Sequence, residues 1–332
     1  MKNRRSFLTD SAYLTGAFTL GGLHLTSCAG SSSMPKDAIL MTPNTSGDAG
    51  MDDMFFKISL AQWSYHKALW AKQFDHLDFA AKAKSLDIHA IEYVNQFFKD
   101  KAEDASYLSE MNTRAADQGV TQVLIMIDGE GGLGDPDDAA RKTAVENHYK
   151  WVDAAKTLGC HSIRVNAYGQ GDREVVAAAA VDGLGGVSEY AAKENINVIV
   201  ENHGGYSSDG SWLSGVMRQV KMDNCGTLPD FGNFCMKRDP ENPYTAPCLD
   251  EYDKYKGVEE MMPFAKAVSA KANVFDENGD EAVIDYMKML SIVKDHGYTG
   301  HVGIEYEGRD LDEQTGIIKT RDLLRKVGKA LS

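Results

Sequence analysis

The residues NINVIVENHGGYSSDGSWLSGVMRQVKMDNCGTLPD, Asn195 to Asp230, decide the fold. A short apolar run at 197–200 leads straight into Glu201. About 30 residues later a second run, 226–228, leads into Asp230. An apolar run of this length bounded by turn residues reads as a buried strand. The interval is that of one strand–loop–helix–loop unit.

Outward from this unit the same pattern recurs. Apolar runs lie at 56–61, 90–94, 122–127, 162–166, 197–200, 226–228, 265–270 and 302–304, about 30 to 40 residues apart. Between them, residues 74–84, 144–156 and 283–293 repeat apolar side chains at helical spacing. Gly159 and Gly297 follow the last turns of two such stretches, as C-terminal glycines do. Eight units in about 275 residues is the count of a single (β/α)8 TIM barrel, an α/β fold. A doubly wound sheet needs fewer strands and usually carries a nucleotide loop. Residues 129–134 do match GxGxxG after a strand. Asp128, Glu130 and Asp135 would meet a pyrophosphate with like charge, so the segment reads instead as a flexible active-site loop, with Asp135-Pro136 opening the next helix.

The 332 residues carry 35 Lys plus Arg and 49 Asp plus Glu, a formal charge of −14. Such a balance disfavours binding to nucleic-acid phosphates, so no nucleic-acid partner is expected. The first 55 residues read as an address and a tether. Asn3-Arg4-Arg5-Ser6-Phe7-Leu8 resembles a twin-arginine export signal. An apolar stretch broken by Gly16, Gly21 and Gly22 follows, too short to remain as a spanning helix. Leu25-Thr26-Ser27-Cys28 resembles a lipobox, which implies cleavage and a lipid anchor on Cys28. Residues 1–28 are therefore expected to be a signal, 29–55 a Ser/Gly/Pro-rich tether and 56–332 the barrel. Loss of residues 1–27 leaves 32 basic and 48 acidic residues, a charge of −16. The expected location is the periplasm. Of the other cysteines, Cys160 and Cys225 open strands and suit packing. Cys235 and Cys248 flank a loop that a disulfide would close in an oxidising compartment.

In a barrel the chemistry gathers at the C-terminal ends of the strands. Those ends offer Gln62, Trp63 and His66; Glu92 and Asn95; Asp128; Arg164 and Asn166; Glu201, Asn202 and His203; Asp230 and Asn233; Ser269 and Lys271; Glu305 and Glu307. Converging carboxylates repel unless a cation neutralises them, and a divalent metal on oxygen ligands is the simplest. Mn2+ or Mg2+ suits such a set best, with Zn2+ or Co2+ as softer alternatives.

Three segments then occur in order: Val200-Glu201-Asn202-His203-Gly204-Gly205, Leu228-Pro229-Asp230-Phe231-Gly232-Asn233 and Val302-Gly303-Ile304-Glu305-Tyr306-Glu307-Gly308. With the eight units, residues 56–328 resemble the xylose-isomerase-like TIM-barrel superfamily of sugar isomerases and epimerases. The resemblance implies a metal held by Glu201, Asp230 and Glu305. The superfamily's strand-seven histidine has no counterpart in Val268-Ser269-Ala270-Lys271, and its histidine three residues past the aspartate is Asn233. His203, in phase with Glu201, is the substitute ligand, or water completes the shell.

The implied mechanism is proton transfer beside a carbonyl through an enediolate. Glu201 and Glu305 would flank the sugar on opposite faces as base and acid, and Lys271 would stabilise the enolate oxygen. Trp63, His66, Glu92, Arg164, Asn166, Asn233 and Glu307 are the expected sugar-binding set. For Glu92 and Glu307, capping or a lysine pair explains the residue equally well. For Lys271 the competing role is a salt bridge to a barrel carboxylate. His148 and His161 read as structural, and residues 276–281 as a solvated turn. Three functions fit: a metal-dependent isomerase or epimerase of an unphosphorylated sugar; a lyase or hydratase on a keto-sugar or 3-keto-glycoside using the same enolate; and a non-catalytic sugar-binding lipoprotein.

Overall fold

Each strand presents alternate side chains to two buried environments, and this alternation builds the molecule. A computed structural model describes residues 54–239, 241 and 246–332. The expected export signal, Cys28 and the expected tether up to residue 53 lie outside the described residues. The strands are β1 (Lys57–Ala61), β2 (Ala90–Val94), β3 (Thr121–Met126), β4 (Ser162–Val165), β5 (Asn197–Glu201), β6 (Cys225–Leu228), β7 (Cys235–Lys237), β8 (Asp250–Glu251), β9 (Val268–Ala272) and β10 (His301–Tyr306). The helices are α1 (His66–Trp70), α2 (Phe79–Ser85), α3 (Ala105–Gln118), α4 (Asp138–Thr157), α5 (Arg173–Lys193), α6 (Gly210–Val220), α7 (Lys254–Met261), α8 (Tyr286–Asp295) and α9 (Glu313–Leu331).

Eight strands form one parallel sheet in the order β6-β5-β4-β3-β2-β1-β10-β9. The remaining gap, between β6 and β9, is closed by two single parallel bridges, Thr227 with Ala265 and Asp230 with Ser269. The amide of Lys266 donates to the Thr227 carbonyl, that of Ser269 to Pro229 and that of Phe231 to Ser269. The α/β barrel expected from the repeats is thus present. One seam is held by isolated bonds instead of a continuous ladder.

Outward-facing Ile163, Val165, Val198, Val200, Val268, Val302 and Ile304 pack with helix residues such as Trp151, Leu184 and Leu213 in the main core. Inward-facing Ala61, Ala90, Val94, Leu124, Met126, Ile199, Leu228 and Ala267 form a smaller core within the barrel. Full burial of each large aliphatic side chain contributes roughly 1.5–3 kcal/mol. Seven helices, α3 to α9, start on an aspartate N-cap: Asp104, Asp137, Asp172, Asp209, Asp253, Asp285 and Asp312. Each cap satisfies a backbone amide that the first turn leaves free. Because helices follow strands, these carboxylates ring the end of the barrel where the strands finish.

Several sequence expectations need correcting. The strand expected at 265–270 is Val268–Ala272, because Ala265 makes only its single bridge to Thr227. Residues 129–134 are packed, not a free loop. Leu133 is fully buried, and Glu130 is buried with its carboxylate accepting from Trp151 Nε1 at 2.8 Å and Lys150 Nζ at 3.0 Å. The next helix starts at Asp138, after the cap Asp137, and not at Asp135-Pro136. The 276–281 turn is exposed at Asp276, but Glu281 is buried and accepts from the amides of Asn273, Val274, Val283 and Ile284. Cys235 and Cys248 form a disulfide beside the antiparallel ribbon β7–β8. Cys160 and Cys225 are buried free thiols.

Candidate active site

The period of two that fills the barrel with apolar side chains also carries its polar ones inward. Arg164 and Asn166, Glu201 and His203, Ser269 and Lys271, and the trio Gly303, Glu305 and Glu307 each stand two apart. In register, Gly303 pairs with Ser269 and Glu305 with Lys271 across β10 and β9. Asp230 enters the same level from the seam, opposite Ser269.

Oxygens of Glu201, Asp230 and Glu305 lie within 4.8 Å of one another, and all three residues are buried. Glu201 Oε1 accepts from Asn233 Nδ2 at 2.9 Å. Its Oε2 lies 2.8 Å from Arg164 Nε, yet no donor is aligned to it as a hydrogen bond. Asp230 Oδ1 accepts the amides of Gly232 at 2.9 Å and Asn233 at 2.8 Å. Ser269 Oγ contacts Asp230 Oδ2 at 2.6 Å and Glu305 Oε2 at 2.8 Å. Lys271 Nζ reaches Glu305 at 3.3 Å and Glu307 at 3.0 Å. Arg164 also donates to Asp128 at 2.8 Å.

Five carboxylates (Asp128, Glu201, Asp230, Glu305 and Glu307) therefore surround two cations, Arg164 and Lys271. Burial pushes the Glu201 and Asp230 carboxyls up, against the opposing pull of Arg164 and Lys271 respectively. Glu307 moves the other way. Burial would raise it, but the Lys271 ammonium and the hydrogen bonds from Lys271 and Trp63 hold it below the usual range. Asp128 is likewise lowered despite its burial, chiefly by Arg164. Burial disfavours the Lys271 ammonium, but Glu305, Glu307, Asp230 and Glu201 hold it charged. The donor set, three buried carboxylates whose oxygens converge within 4.8 Å, fits a divalent cation. Three carboxylates from β5, the end of β6 and β10 would hold it.

Most residues expected at the site converge on it, with some changes of place. Glu201 and Glu305 converge on one point with Asp230. His203 is not among the converging ligand atoms. The chain leaves β5 after Glu201, and the Tyr168 hydroxyl contacts His203 Nδ1 at 2.6 Å while donating to its carbonyl at 2.8 Å. His66 stands against Trp63. Its ring stacks on the indole, and its Nδ1 lies 2.7 Å from the Trp63 carbonyl and 3.7 Å from Glu313. Trp63 donates through Nε1 to Glu307 and adjoins Trp70 and Phe97. Asn166 Nδ2 donates to Asp128 at 2.7 Å, leaving its buried Oδ1 without a donor. Glu92 lies one layer deeper than expected, beside Gly303, with Ser59 Oγ donating to it at 2.6 Å.

Ser269, Asp128, Ser59 and Tyr168 were not singled out as site residues. Ser269 and Asp128 carried a readable signal, Ser269 because it is in phase with Lys271 and Asp128 because it follows an apolar run. Ser59 and Tyr168 carried none.

Residues 80–327 match the family model described as Xylose isomerase-like TIM barrel. No curated protein matches the chain by sequence. Among solved structures, a D-psicose 3-epimerase in the presence of D-fructose is similar with a TM-score of 0.63 at 14% identity, over 82% of this chain and 100% of that one. The 3-keto-D-glucoside 4-epimerase of E. coli has a TM-score of 0.62 at 13% identity, over 82% and 99%. A xylose isomerase-like protein of Mycobacterium smegmatis in complex with magnesium has 0.60 at 15%, over 83% and 97%. At these identities the likeness is one of fold, and it agrees with the barrel traced above. The match spans most of the chain, and the protein belongs to the xylose isomerase-like TIM barrel family.

Proposed function

We propose that this protein is a divalent-metal-dependent sugar isomerase or epimerase that moves a proton on the carbon beside a carbonyl. The observation that carries the reading is the buried convergence of Glu201, Asp230 and Glu305 at the strand ends. A bound divalent ion would polarise the sugar carbonyl and stabilise the enediolate. The chain's own residues do the rest. Glu201, whose burial raises its proton affinity, takes or returns the proton, and Glu305 serves the complementary step. Asn233 and Arg164 fix the Glu201 carboxylate in rotation. Lys271 holds a permanent positive charge beside Glu305, where negative charge on the substrate oxygen would grow. Trp63, braced by His66 and tied to Glu307, offers an apolar face to a sugar ring. Asn166 Oδ1, buried and without a donor, is suited to accept from a sugar hydroxyl.

The similar proteins named for D-psicose and 3-keto-D-glucoside support an unphosphorylated sugar as substrate. Both buried cations of the site are already paired with carboxylates, which leaves them poor partners for a phosphate. The N-terminal sequence supports export and lipid anchoring at Cys28 as part of the same proposal.

The test is metal analysis of the purified protein together with a panel of free ketoses and keto-glycosides assayed with Mn2+ or Mg2+. About one divalent ion per chain is expected, with sugar interconversion that Glu201→Gln lowers by at least ~10²-fold. A protein that binds no divalent ion and turns over equally well as Glu201→Gln would overturn the reading.

A further inference from the structure

Ser269 stands where the strands that deliver Asp230 and Glu305 meet. Its backbone bridges Asp230 across the seam and pairs with Gly303, two residues before Glu305. The residue is 1% exposed. Its Oγ touches one oxygen of each carboxylate, at 2.6 Å and 2.8 Å. A hydroxyl has a single proton and can donate to only one of them. The other contact sets oxygen lone pairs against each other unless a proton on that carboxyl or a bound cation lies between. In an octahedral shell with bonds of about 2.1 Å, neighbouring donor atoms are about 3 Å apart. The two Ser269 contacts approach the edges of such a shell.

We infer that Ser269 Oγ is itself a ligand of the ion, the fourth protein donor beside Glu201, Asp230 and Glu305. The inference rests on the ion-binding reading above and goes beyond it by completing the donor set. With His203 outside the cluster, every protein donor is then oxygen. Neutral and acidic oxygens favour hard ions such as Mg2+ and Mn2+, and give no preference to softer ones.

The experiment replaces the hydroxyl by a soft atom of nearly the same shape. Ser269→Cys is titrated with Co2+, Cd2+ and Mn2+ beside the unsubstituted protein, with ion binding and absorption as the readouts. A thiolate in the shell gives a sulfur-to-cobalt charge-transfer band that the unsubstituted protein lacks. It also raises the Cd2+-to-Mn2+ affinity ratio at least tenfold. A folded Ser269→Cys protein that binds Co2+ without the band, and with an unchanged ratio, overturns the inference while leaving the metal reading intact. An unsubstituted protein that binds none of these ions overturns both. Should Ser269→Cys not fold, Ser269→Ala and Ser269→Thr decide. Loss of at least tenfold in Mn2+ affinity in Ala, with near-normal affinity in Thr, supports the inference, and equal affinity in all three overturns it.

Discussion

Glu92 shows how a single carboxyl can be committed to one protonation state by its surroundings. Burial, with the Glu305 and Glu201 charges adding to it, pushes it up to about 8, and the Ser59 hydrogen bond only partly opposes the rise. Its unfolded value is the ordinary 4.5. Between those values the folded protein binds the extra proton, so stability falls as pH rises. The contribution is complete below about 4.5 and is lost as pH passes through about 8. A shift of this size corresponds to on the order of 5 kcal/mol. Glu92→Gln keeps an acceptor for Ser59 without the titration. Urea unfolding across pH 4 to 9 is expected to show the unsubstituted protein losing stability relative to Glu92→Gln as pH rises. Parallel profiles would contradict that account. Glu92 was legible in the sequence as an inward acid. Its depth was not, because depth depends on the register of β2 against β1 and β3.

At the scale of elements, β10 and β2 are fitted to each other at one point. A Cβ at Gly303 would lie 2.6 Å from Glu92 Oε1 and 2.7 Å from Oε2. Gly303 thus leaves the space that the deeper carboxyl fills. Gly303→Ala is expected to destabilise the barrel by about 2–3 kcal/mol. In the Glu92→Ala background the same change should cost markedly less, because the clashing group is gone. Additive effects in this cycle of denaturant unfolding would show that Gly303 serves something other than Glu92. The sequence located all eight barrel strands within a few residues, since buried runs and helix stops are local signals. It missed ribbon β7–β8, whose strands of three and two residues are too short to show a period. It also read residues 129–134 as loose, because burial of Glu130 depends on α4 and that of Leu133 on α5 packing over them.

For the whole molecule, the acidic excess resolves into distinct parts. Seven aspartates cap helices around the strand ends, and five carboxylates line the barrel mouth about two paired cations. Glu201, Asp230 and Glu305 were legible because each directly follows an apolar run, where packing alone does not require a charge. Ser269 was legible only as a strand-end residue in phase with Lys271; that the seam sets it between two acids was not. His203 shares the phase of Glu201, but the chain turns away at once, with Gly204 at a φ of 93°. On the proposed function, this buried carboxylate group, loaded with a divalent ion, exchanges the proton beside a sugar carbonyl. The direct test is deuterium wash-in: ketoses incubated in heavy water with the Mn2+-loaded protein, the chelated protein and Glu201→Gln, then read by mass spectrometry. One deuterium per turned-over sugar is predicted with the loaded protein, and none with the other two. Equal incorporation by the metal-free protein, or turnover without any deuterium uptake, would contradict the account.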